Sequence, residues 1–84
     1  MVDKKLIKGM AVIRERVGRK KVPVGFSTQE GALEFIHTLE ENGLYAFSTH
    51  AILPGYGDYS WIIYVPKNRR IEAEKIYEEE YGSW

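Results

Sequence analysis

Cysteine is absent from this 84-residue chain. That excludes disulfides, thiolate nucleophiles and Cys-ligated zinc, and it fits a cytoplasmic setting. Long apolar runs are missing too: nothing approaches the roughly 20 residues that cross a bilayer, so no membrane association is expected, and no secretory leader is read at the start. Side-chain amides are scarce, with Gln29, Asn42 and Asn68 the whole set. With abundant Lys, Glu and Arg, this leans toward a thermophilic composition. Net charge is also zero, twelve Lys+Arg against twelve Asp+Glu, but the zero is a cancellation. Residues 1–25 hold eight cations and two carboxylates (+6), and residues 26–84 hold four and ten (−6). Such asymmetry marks either a polyanion-binding arm or two halves that complement each other, within one fold or across a dimer.

What is present is aromatic and β-rich. Two Trp, six Tyr and three Phe argue for a folded chain of one domain, residues 1–84. A core this small often gains stability by dimerisation. The stretch from Leu44 to Val65 organises the rest: two β-rich runs flank Pro54-Gly55-Tyr56-Gly57-Asp58, a hairpin signal. By alternation Tyr45, Phe47, Thr49 and Ala51 share one side of the first run, and Tyr59, Trp61, Ile63 and Val65 one side of the second.

Before the hairpin lies the best-specified helix, expected over 28–42. Ser27-Thr28-Gln29-Glu30 reads as a capping box, Ala32, Leu33, Phe35, Ile36 and Leu39 form an apolar stripe, and Gly43 suits a left-handed terminus with Leu44 touching Leu39. Val22 to Phe26 reads as a short strand, with Pro23 suited to a strand start, edge or bulge. After the hairpin, Pro66-Lys67-Asn68 opens a second helix with Ala73, Ile76 and Tyr77 inward, ended by Gly82. The basic segment 1–21 has two readings. As a helix it aligns Leu6, Met10, Ile13 and Val17. As a strand, 10–17 turns through an 18–21 loop and returns along 22–26. Topology favours the strand, because it fills the place of the last strand in a ferredoxin-like sheet and hides an edge.

The expected fold is therefore α+β: a ferredoxin-like two-layer sandwich, an antiparallel-rich sheet of three or four strands with two helices on one face. Its βαββα core spans 22–81. Over residues 22–77 the chain resembles small bacterial signal-transducing proteins with a ferredoxin-like βαββα core. The likeness rests on the strand ending in Phe26-Ser27, the helix around Ala32 and Leu39, Asn42-Gly43-Leu44, and Val65-Pro66 followed by Ala73, Ile76 and Tyr77. It leaves out residues 1–21 and carries no catalytic or ligand role onto any residue.

Chemistry-bearing patterns are few. His37 and His50 lack the spacing and companions of a metal site. Thr49 and His50, neighbours on a strand, point to opposite faces and do not meet as nucleophile and base. Gly55-Tyr56-Gly57 precedes a strand, whereas a phosphate loop precedes a helix. No enzyme, metal or cofactor is expected. The chain reads instead as a small binding or regulatory protein that associates with a protein partner or as a homodimer, through the aromatic hairpin residues Tyr45, Phe47, Tyr56, Tyr59 and Trp61. The alternative is a nucleic-acid-binding protein using Arg14, Arg16, Arg19, Lys20 and Lys21, the last three gathered at a hairpin tip.

Overall fold

The computed structural model describes residues 8–52 and 60–82. The turn at 54–58 with Tyr56, and Tyr59 beside it, lie outside the described residues, as does Leu6. In chain order the elements are β1 (Met10–Val12), β2 (Arg14–Val17), β3 (Lys20–Pro23), β4 (Gly25–Phe26), α1 (Gln29–Glu41), β5 (Phe47–His50), β6 (Trp61–Pro66), a 3-10 turn (Lys67–Arg69) and α2 (Arg70–Tyr81). The described chain is a small α+β domain with antiparallel sheets and two helices.

Strand β6 is the centre of the larger sheet. β5 runs antiparallel along one edge, Phe47 opposite Tyr64 and His50 opposite Trp61. Along the other edge lie β1, Met10 opposite Pro66 and Val12 opposite Tyr64, and β4, Gly25 opposite Ile62 and Phe26 opposite Trp61. Both are antiparallel to β6. β4 and β5 are therefore parallel to each other with β6 returning between them, the arrangement expected of strands joined through α1.

The N-terminal segment forms strands over 10–12 and 14–17, the reading topology favoured, and not a helix. It does not lie as one strand beside 22–26. β1 takes a place on β6 in line with β4, and the chain leaves the sheet between the two. Ile13 is the junction: its N–H donates to the Ile63 carbonyl at 3.2 Å, and its own carbonyl accepts from Val24 N–H at 2.9 Å. The side chains of Ile13 and Val24 are fully buried. Beyond that neck β2 and β3 form a two-stranded ribbon of their own, Arg14 opposite Pro23 and Val17 opposite Lys20.

The ribbon turns through Gly18, at φ +61°, and Arg19. A glycine of positive φ at the first central position is the two-residue turn whose twist suits a hairpin. The loop is thus shorter than the expected 18–21. Lys20 and Lys21 are strand residues, so they point to opposite faces and do not gather with Arg19 at the tip.

Helix α1 starts one residue later than the Ser27 capping box implies. Thr28 is extended and is the cap, its Oγ1 accepting from Gly31 N–H at 3.1 Å. The helix ends as its sequence predicts. Gly43 sits at φ +72°, Gly43 N–H donates to Glu40 and Leu44 N–H to Leu39, both at 2.9 Å, the paired bonds of a Schellman terminus. Ala32, Phe35, Ile36 and Leu39 of α1 join Leu44, Ala46, Ile63, Val65 and Ala73 in one buried cluster, with Phe26, Trp61, Ile76 and Tyr77 packed on it. Both helices thus cover the β6 face that carries Trp61, Ile63 and Val65. The Arg69 guanidinium links the helices, donating to the Gly43 carbonyl and pairing with Glu72.

Leu39 is fully buried and Leu33, on the outer side of α1, is 52% exposed. Leu39→Ala is expected to lower stability by about 3 kcal/mol through the cavity it leaves, and Leu33→Ala by less than about 0.5 kcal/mol. Urea denaturation of the two variants checks this; equal losses would contradict the placement of the helix.

Candidate binding surfaces

Cross-strand partners share a sheet face. The registers therefore put Phe47, Thr49, Ile62, Tyr64 and Val12 on the face away from the helices, and Ser48, His50, Phe26, Trp61 and Ile63 on the helix face. The expected aromatic patch is divided between them. Phe47 stacks on Tyr64 on the open face, rings 5.3 Å apart and 11° from parallel. Trp61 lies on the helix side, half-buried, its ring 4.8 Å from that of His50. Tyr45 precedes β5 and is 62% exposed. Tyr64, the residue that meets Phe47, was not among the expected ones. Its signal was register, which alternation within each run does not supply.

β5 forms the border of the sheet. Ile63 gives its carbonyl to Ile13, on the β1 side. In an antiparallel ladder backbone groups alternate from side to side along a strand. Tyr64 and Ile62 therefore bond to Phe47 and Thr49, and Ala51 N–H continues the series by donating to Ser60 at 2.6 Å. The N–H and C=O groups of Ser48 and His50 consequently point outward, and no described residue pairs with that edge. Residues 45–52 contain no Lys, Arg, Asp, Glu or Pro, the residues that commonly protect an edge strand. Tyr45 and Ile52, the latter 81% exposed, stand at its two ends.

The five expected basic residues all lie on the β2–β3 ribbon or its turn, and all are exposed. Register separates them. Arg14, Arg16 and Lys21 share the face that lines a cleft of roughly 330 Å³ against Glu74 and Glu78 of α2. Lys20 takes the other face and Arg19 the turn. Lys21 Nζ approaches Glu74 Oε1 at 3.5 Å, so part of the charge asymmetry is answered within the fold. Glu74, only 9% exposed, also faces Arg70 Nε across 3.7 Å. This buried carboxylate went unforeseen; the i,i+4 spacing from Arg70 was its one sequence signal. Arg14, Arg16, Arg19 and Lys20 have no ion pair among the described residues.

A third surface is the groove of roughly 620 Å³ between the helices, lined by Glu30, Glu34, Glu80, Leu33 and Tyr81. Burial pushes the Tyr81 hydroxyl pKa up, and the carboxylates of Glu80 and Glu34 push it further. His37 pairs with Glu41 at 2.9 Å on the exposed side of α1. Among the described residues no group of three or more His, Cys, Asp or Glu is placed to hold a metal, and no helix is long and apolar enough to cross a membrane. In comparison with known proteins, no family model, no curated protein and no solved structure matches the chain.

On the ribbon, burial raises the Glu15 carboxyl above its ordinary 4.5. A carboxyl that holds its proton more tightly when folded works against folding once it ionises, so its contribution falls as pH rises through that range. Glu15→Gln is expected to raise Tm at pH 7. The gain should vanish well below pH 4.5, where the folded and unfolded carboxyls are both protonated. Thermal melts of the two proteins across pH check the sign.

Proposed function

We propose that this chain is a small non-enzymatic association protein, and that its partner is a second copy of itself joined along β5. The observation that carries the reading is the outward edge of Ser48 and His50, within an eight-residue stretch free of charge and proline. A two-fold axis at Thr49 sets Ser48 of each copy opposite His50 of the other, and such a pair exchanges both N–H···O bonds. Because residues 45–52 carry no Asp, Glu, Lys or Arg, two copies of the edge meet without like-charge repulsion. The open face with Phe47 and Tyr64 then continues from one copy into the next, and exposed Tyr45 and Ile52 lie at the ends of the paired stretch. A ferredoxin-like reading of the core belongs to this proposal, supported by the order β4–β6–β5 and the two helices on one face. So does the likeness to signal-transducing proteins. The position of β1 on β6 departs from the outer last strand of that fold.

Ser48→Pro removes an outward N–H and takes no bond from β6. Light-scattering mass against concentration is expected to give a dimer for the native chain, and a dimer weakened about tenfold or more for Ser48→Pro. Ile52→Lys, a charge added beyond the ladder, is expected to act in the same direction with unchanged circular dichroism. A native chain that stays monomeric at about 100 μM, or a dimer indifferent to both substitutions, would remove this reading.

A further inference from the structure

We infer that the β2–β3 ribbon is a hinged flap latched against α2 through Glu74, and that the latch masks its Arg14, Arg16 and Lys21 face. The ribbon is tied to the main sheet at the neck, where Ile13 bonds to Ile63 and Val24. Beyond the neck β2 and β3 pair with each other alone. The far end is held by Lys21, one pair short of the turn, whose Nζ lies 3.5 Å from Glu74 Oε1. Among the described residues this is the one ion pair between the ribbon and the rest of the chain. Hinge and latch therefore lie toward opposite ends of the ribbon, along a cleft that both walls line.

Charge closes this flap. The α2 wall of the cleft presents Glu74, Glu78 and Lys75, and its one apolar side chain, Ile71, is 67% exposed. Arg14, Arg16 and Lys21 face that wall, while Lys20 shares the other face with Glu15. Little apolar surface is covered across the cleft, and attraction between partly exposed charges is modest and screened by salt. Opening also strands no buried charge. The Lys21 side chain is already half exposed, and Glu74, nearly buried, keeps Arg70 Nε at 3.7 Å on its own helix. Arg70 Nε is buried with no hydrogen-bond partner among the described residues, so a carboxylate released by Lys21 has a second cation on which to settle. One carboxylate shared between a ribbon cation and a helix cation thus gives two arrangements. In the closed one the carboxylates of α2 cover the Arg14, Arg16 and Lys21 face; in the open one that face is presented.

The test is paramagnetic relaxation in the full chain, read by NMR. Because the chain has no cysteine, Arg19→Cys carries a single nitroxide at the turn, and its effect is followed on the amides of residues 74–78. At low salt the label is expected to broaden them. Raising salt to about 1 M, where the screening length falls to about 3 Å, is expected to reduce the enhancement about twofold or more. At low salt Lys21→Gln and Glu74→Gln are each expected to do the same with unchanged circular dichroism, and Lys20→Gln to leave it intact. Lys21 is half exposed, so its variant keeps the test open should Glu74→Gln fail to fold. Enhancement that persists in Lys21→Gln, or that is equal at both salt concentrations, would overturn the latch. So would sharp α2 amides at low salt, or an equal loss in Lys20→Gln.

Discussion

Every strand of the main sheet is paired to β6, and β6 is six residues long. One of its edges is occupied by β5. The other is shared by β1 and β4, which approach from the same side, run in the same direction and hold consecutive stretches of it. Two strands that occupy one edge in line cannot be joined by a tight turn between them, because the end of the first already lies at the start of the second. The chain connecting them must leave the sheet and come back to nearly the same point. The ribbon is that excursion, and the Ile13 backbone, bonded to Ile63 on one side and Val24 on the other, is where it departs and returns.

This arrangement distributes the two kinds of surface. That edge of β6 is filled by β1 and β4, and the basic sequence between them is carried on a support only two strands wide, one face of which looks across a cleft at Glu74 and Glu78 of α2. The opposite edge is left to β5. Its uncharged run keeps outward backbone groups that a neighbouring strand can use, and exposed unpaired strands of this kind are usually blunted by lysine, proline or a bulge. Helices cover one face only, so the stacked pair of Phe47 and Tyr64 remains on the other. Charge is separated in the same way, cations concentrated on the ribbon and carboxylates on the helices, with Lys21, one pair short of the turn, reaching Glu74.

Local signals decide the structure where the physics is local. The Asn42-Gly43-Leu44 terminus closes α1 with the expected bonds, since a left-handed residue after a helix needs little more than a glycine. Ala32, Phe35, Ile36 and Leu39 of the α1 stripe face the core because 3.6-residue spacing leaves them no other common direction, whereas Leu33, expected among them, falls on the outer side. The N-cap was misjudged by one residue, because Ser27 and Thr28 are both competent caps and the backbone geometry at the strand end chose between them. The binding patch was legible as a composition and not as a place. Phe47 and Trp61 both lie on the hairpin strands, yet pairing with β6 turns one to the open face and the other toward the helices. The basic cluster was likewise legible as a stretch of sequence, while its division between two faces depended on a turn of two residues instead of four.

The sequence by itself determined the alternating runs, the helix with its glycine end, the basic and acidic halves, and the uncharged strand, because each of these depends on neighbours a few residues apart. Only the tertiary structure decided that 10–12 would join β6 in line with β4, that the chain between would stand out as a ribbon, and which edge and which aromatics would face outward. Those outcomes depend on strand register, and register is settled between segments some fifty residues apart, as for Val12 and Tyr64. A shift of one residue in that pairing exchanges the two faces of a strand while leaving its local sequence unchanged.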